Sequence, residues 1–196
     1  NYEIDLFDNL IQSTAKILDL KSSSSSSLNV IVDHIRACSF LIVDGVIPGN
    51  EGRSYVLRRI MRRAIRHGKK LKINEPFFYK VLEPRAKEMG EAYPALRSQK
   101  EQIEDIIKQE EIRFAITLDQ GIEILEEAIK VMKNDILPGD IVFKLYDTYG
   151  FPVDLTNDIA RERNFTIDHK GFQKHMASQR DRARKANKFS KTADND

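Results

Sequence analysis

The chain has a single cysteine, Cys38, in 196 residues. One thiol allows neither a disulfide framework nor a thiolate metal site, and it fits a reducing, cytoplasmic setting. There is no P-loop, no GxGxxG and no Ser, His, Asp ordering with local support. The histidines His34, His67, His169 and His175 are scattered. His34 and Cys38 are i, i+4 neighbours without a third ligand, so core packing is their expected role and no metal is expected. Internal repeats are absent and alternating strand patterns nearly so, which points to an all-α fold. The most apolar stretch, residues 28–46, is interrupted by Asp33, His34, Arg36 and Asp44, as in a buried core helix, so no membrane partner is expected. No signal peptide is visible. The chain starts at Asn1 without methionine and with structure-forming sequence at once, as expected of a piece of a longer polypeptide. These absences leave a binding module as the class.

What is present is uneven charge. The net charge is only +2, yet residues 53–72 hold nine Lys or Arg and no acid, whereas residues 101–127 hold nine acids. At about 100° per residue, Arg58, Arg59, Arg62, Arg63, Arg66, Lys69 and Lys70 share an arc of roughly 140° on the helix 53–70. Leu57, Ile60, Met61, Ala64 and Leu71 lie opposite. The pattern predicts a helix docked on a core with a basic stripe facing outward. Such a stripe suits a nucleic-acid backbone, because guanidinium forks match phosphate oxygens and release counterions. The competing possibility is a face paired with the acidic helix of the same chain; clustering without interspersed acid favours RNA or DNA.

The rest of the chain reads as helices separated by Gly and Pro. Helix one places Phe7, Leu10, Ile11, Ile17 and Leu18 at helical spacing. Ser22 to Ser27 lack side chains able to bury area and read as a solvated, mobile loop. Residues 28–47 form a core helix ended by Gly45 and Pro48, and Gly68 is expected to loosen the last turn of the basic helix. Pro76 opens a helix that Pro84 should kink. A helix over 96–133 carries apolar residues on one side and acids on the other, with a possible bend at Gly121. Short helices over 140–149 and 154–164 follow, Asp154 a plausible cap of the second, and Asp168 is placed to cap a final helix through 185. The expected organisation is two helical lobes, 1–95 and 96–196, with a disordered tail from about 190.

Two polar residues merit attention. Asn50 precedes the basic helix, where its spacing fits an N-cap, although its amide could instead face a base edge. Asp147, in LYDTYG, sits late in a helix and so opposes the helix dipole, a mild misfit that hints at function. Phe143, Tyr146, Tyr149 and Phe151 could stack on bases, but core packing is the favoured role.

Three segments, DHIRACSFLIVDGVIPGNEGRSYVLRRIMRRAIRHGKKL, FKLYDTYGFPVDLT and NYEIDLF, resemble alanyl-tRNA synthetases in the part after the class II catalytic core. The resemblance runs in order from residue 1 to about 189. It implies a helical tRNA-recognition domain laid against the acceptor stem of alanine tRNA. In that family a G·U pair in the stem is contacted by an asparagine before the basic helix and an aspartate in LYDTYG, which correspond to Asn50 and Asp147. A carboxylate suits the guanine amine that a wobble pair leaves exposed in the minor groove, and an amide suits the uracil side or a sugar hydroxyl. Arg53, Arg58, Arg59, Arg62, Arg63 and Arg66 would then position the stem through phosphates. Ser54 departs from the glycine usual in the family, which puts a tight backbone approach near Arg53 in doubt. The resemblance also implies a parent alanine–tRNA ligase whose catalytic core, on the same polypeptide, uses ATP and Mg, and whose editing domain binds Zn. This stretch is expected to hold no cofactor and to be inactive alone. The alternatives are a structural helical spacer between catalytic and editing domains, and a helical DNA-binding regulator.

Overall fold

The computed structural model describes residues 5–89, 92–132 and 134–193. Within them the fold is all-α. Its helices are α1 (Asp5–Ile17), α2 (Ser26–Val43), α3 (Gly52–Lys70), α4 (Leu82–Met89), α5 (Pro94–Ser98), α6 (Lys100–Val131), α7 (Gly139–Asp147), α8 (Val153–Glu162) and α9 (His169–Ala193). Residues 1–4 of the NYEIDLF segment lie outside the described residues, as do 194–196 of the expected disordered tail. Residues 190–193 continue α9, eight residues past the expected helix end at 185.

The chain divides into two compact units, Asn1–Ile116 and Thr117–Asp196, so the boundary falls inside α6 instead of near residue 95. In the first unit α2 packs most extensively on α3. Leu28, Ile31, Val32, Ile35 and Cys38 of α2 are fully buried, and Leu57, Met61 and Ala64 of α3 are likewise inside. Thus α2, although long and apolar enough to cross a membrane, is a core helix here. It ends where expected, with Gly45 at φ +81°, a conformation that costs glycine little.

Several local expectations change. Gly68 does not loosen α3; a Cβ there would lie 2.1 Å from the Phe77 ring, so the residue is small to admit that ring. The turn out of α3 is made instead by Lys72, at φ +63°. Pro84 does not kink a helix either. A 3-10 turn, Phe78–Val81, precedes α4, and Pro84 sits in the first turn of α4, where a missing N–H costs little. The helix expected over 96–133 breaks at Gln99 into α5 and α6. Ser26 and Ser27 belong to α2 and not to a solvated loop. Ser27 is buried, its hydroxyl 3.0 Å from Nδ1 of the equally buried His67.

The second unit gathers Leu118, Leu125, Val142, Leu145, Phe151, Leu155, Ile159 and Phe172 into its core. Two short strands, β1 (Ile136–Leu137) and β2 (Thr166–Ile167), pair in parallel, and each leads directly into a helix, α7 and α9. These two helices meet at glycines: a Cβ on Gly139 would fall 2.4 Å from the Phe172 backbone nitrogen and 2.6 Å from the Gly171 Cα. Asp168 caps α9, accepting from the Gly171 N–H at 2.9 Å. Asp154 is not the cap of α8; that position is Pro152, and Asp154 lies in the first turn. Gly121 supports the Phe151 ring within an unbroken α6, a Cβ there lying 2.4 Å from it.

Candidate nucleic-acid interface

The arc of bases on α3 exists, but it does not face outward as a whole. Arg66 is only 7% exposed, and the Arg58 and Arg62 side chains are 18% and 13% exposed. The reason is an acid that the helical wheel of α3 cannot reveal. Glu110 of α6, its side chain 1% exposed, is reached by Arg62 through Nε at 2.8 Å and Nη2 at 2.7 Å, and by Arg58 Nε at 3.2 Å. The Arg62 guanidinium also lies 4.9 Å from the centre of the Phe114 ring. Burial lowers the Arg62 pKa, and the adjacent Glu110 carboxylate opposes that shift. Arg53, Arg63 and Lys70 remain exposed, and Arg59 and Lys69 are half-buried.

Asn50 is exposed and is not the N-cap of α3, a position taken by Glu51 without a side-chain hydrogen bond. Its Oδ1 accepts from Arg58 Nη1, while Arg58 Nη2 reaches the Pro48 carbonyl at 3.5 Å. The first unit therefore pairs Arg58 and Arg62 with Glu110, and Arg58 with Asn50. Near Arg53, a Cβ on Gly49 would lie 2.7 Å from Ser54 Cβ, and the Gly49 N–H donates to the Ser54 carbonyl at 3.0 Å. Ser54 thus packs tightly against the loop that carries Asn50.

Asp147 belongs to the second unit. It is the exposed last residue of α7, and its Oδ1 accepts from Gln179 Nε2 on α9. The neighbouring aromatics pack within the protein. Phe151 is buried, Tyr146 meets Phe172 edge-on at 5.7 Å, and Phe143 stacks on His175 at 5.5 Å.

Two acids of the 101–127 run do not lie on the side opposite the apolar residues, where the sequence reading put them. Glu110 and Glu111 are both buried. Glu111 accepts the Phe77 N–H at 2.9 Å and the Phe78 N–H at 3.0 Å, which fastens the start of the 3-10 turn to α6. Burial pushes its carboxyl up to about 7 against the opposing pull of those N–H groups. The signal was available in the spacing: Glu110 sits three and four residues from Ile107 and Phe114, on the same stripe as Ile103 and Leu118. An acid on an apolar stripe implies a buried partner, which is a base for Glu110 and backbone N–H groups for Glu111. Among the described residues no group of three His, Cys, Asp or Glu gathers to hold a metal. Cys38 is enclosed, and burial pushes its thiol up.

Residues 1–196 match the family described as tRNA synthetases class II (A), and the chain belongs to that family. Over 189 residues it is 56% identical to the alanine–tRNA ligase of Pseudomonas fluorescens, 57% to that of Nitrosococcus oceani and 55% to that of Idiomarina loihiensis. Each comparison covers 96% of this chain and 22% of the relative, so the chain spans about a fifth of the length of these proteins.

Proposed function

We propose that this chain is the tRNA-recognition part of a cytoplasmic alanine–tRNA ligase, binding the acceptor stem of alanine tRNA and reading its G·U pair. The parent attaches alanine to tRNA using ATP. ATP and Mg belong to the catalytic core of the same polypeptide and Zn to its editing domain. The observation that carries this reading is the exposed Asn50 amide, fixed by Arg58 at the head of a helix free of acids. Its relatives' names point to the same RNA.

In the wide minor groove of A-form RNA a wobble pair exposes the guanine amine, to which Asp147 can offer a carboxylate oxygen. With Oδ1 turned to Arg58, Asn50 offers Nδ2–H to uracil O2 or a ribose hydroxyl. Arg53 and Arg63, exposed, and Arg59, half-buried, take the phosphates. Arg58, Arg62 and Arg66 leave that role, being turned inward.

The test is binding of the chain to a hairpin of the acceptor stem, with G·U or G·C at the same step and duplex DNA as control. Affinity for RNA should fall steeply with salt, and Asp147→Ala should remove about 1–3 kcal/mol of preference for G·U. Equal wild-type affinities for the two stems at every salt concentration would reject base readout. The pairing of Arg58 and Arg62 with Glu110 favours a second reading, a helical spacer without base contact. Salt-independent, weak binding to both RNAs would establish it.

A further inference from the structure

The acid that withdraws two arginines from the surface does something besides neutralise them. We infer that Glu110 is a positioning residue for readout at Asn50: its carboxylate fixes the Arg58 guanidinium, which holds the Asn50 oxygen and leaves the Nδ2 hydrogens facing outward. This rests on the reading of Asn50 proposed above.

The chain of contacts is short. Glu110 Oε1 lies 3.2 Å from Arg58 Nε, an ion pair that lacks hydrogen-bond geometry, and the two terminal nitrogens of the same guanidinium go to Asn50 Oδ1 and, at 3.5 Å, to the Pro48 carbonyl. A guanidinium carries donors only, so it can accept nothing from an amide N–H. The Asn50 oxygen must therefore be the atom that turns inward, and the exposed end of the side chain becomes a donor. An exposed asparagine without this hold would present either end and would lose rotamer freedom on binding. With it, the donor is set in advance and matches an acceptor such as uracil O2 or a sugar hydroxyl, not the guanine amine. Arg62 already occupies the same Glu110 oxygen through two nitrogens. Ion pairing inside the unit is thus provided without Arg58, and what Arg58 adds is the link to residues 48 and 50.

Two variants separate positioning from general support. Glu110→Gln keeps the shape of the side chain and removes its charge. Arg58→Lys keeps a cation for Glu110 but lacks a fork able to bond Asn50 and Pro48 together. The first measurement needs no RNA: the order parameter of the Asn50 side-chain amide by nitrogen-15 relaxation. It is expected near 0.85, as for rigid groups, in the wild type and below about 0.6 in both variants. The second is the ratio of dissociation constants for G·C and G·U hairpins. It should fall about fivefold or more in both variants while affinity for the G·C stem changes by less than about twofold. If only one variant folds, that variant carries both measurements. An amide that stays ordered in the folded variants would overturn the inference whatever the stems do, and so would an unchanged ratio alongside a mobile amide. Equal wild-type affinities for the two stems would instead overturn the function proposed above, whatever the amide does.

Discussion

Asn50 in the unit Asn1–Ile116 is fastened through buried charge: Glu110 holds Arg58 and Arg62, and Arg58 holds the amide. Asp147 in the unit Thr117–Asp196 is placed by backbone. It ends α7, which is seated on α9 where Gly139 meets Gly171, and its carboxylate takes a hydrogen bond from the neutral amide of Gln179. The first arrangement stakes much on one carboxylate, because a desolvated guanidinium left without its partner is costly. The second stakes little on any single charge. Acidic substitutions should therefore be punished unequally in the two units.

The largest expected effect is that of Glu110→Ala. It removes the carboxylate that Arg62 meets through two nitrogens and should destabilise the first unit by about 4 kcal/mol, the cost of breaking a buried pair from one side. The counterpart is Glu126→Ala in the second unit, which removes the Arg163–Glu126 pair at 2.9 Å, with side chains 43% and 44% exposed. Screened and mobile, such a pair should contribute less than about 1 kcal/mol. Urea unfolding of both variants measures the contrast, and similar losses in the two would break it.

Next is the pH response of Glu111. Its folded pKa, about 7, lies above the ordinary 4.5, so the folded chain holds a proton that the unfolded chain releases between those values. The associated stability is complete below pH 4.5 and is lost as pH rises to about 7, by on the order of 3 kcal/mol. Glu111→Gln keeps an acceptor for the Phe77 and Phe78 N–H groups and should flatten that slope. Unfolding curves at a series of pH values for both proteins would refute the assignment if their difference did not vary.

How much of this was legible in the sequence follows the same division. The extent of α3, the Gly45 stop and the Asp168 cap were readable because each depends on residues within one or two turns. The direction of the arginine face was not. A helical wheel gives which residues share an arc but not what lies against it, and Glu110 is 48 residues from Arg62. Clustered bases without acids argued for a solvent-facing stripe, and a distant acid prevailed. Asn50 failed as a predicted cap for a related reason: cap propensity is a local preference, and Arg58, eight residues on, offered its oxygen a charged donor instead. The β1–β2 pair escaped notice because two-residue strands have no period to detect.

The smallest expected effect sharpens the comparison from the other side. In the second unit, Asp168 accepts the Gly171 N–H at 2.9 Å, and its own N–H donates to the Leu137 carbonyl at 2.9 Å, joining the strand pair to the start of α9. Asp168→Ala removes the first of these bonds and keeps the second, so the loss should be about 1 kcal/mol, as for an ordinary N-cap. Asp168→Asn, which retains the accepting oxygen, should recover most of it. In the first unit α2 and α3 start at Ser25 and Glu51 without side-chain cap bonds. Glu51→Ala should therefore change stability by no more than about 0.5 kcal/mol. Amide exchange localises the difference: protection should fall at Gly171 and Phe172 in Asp168→Ala and stay unchanged through α3 in Glu51→Ala. A larger loss from Glu51 than from Asp168 would mean that the head of α3, where Asn50 stands, is held by its own first turn and not by the buried carboxylate behind it.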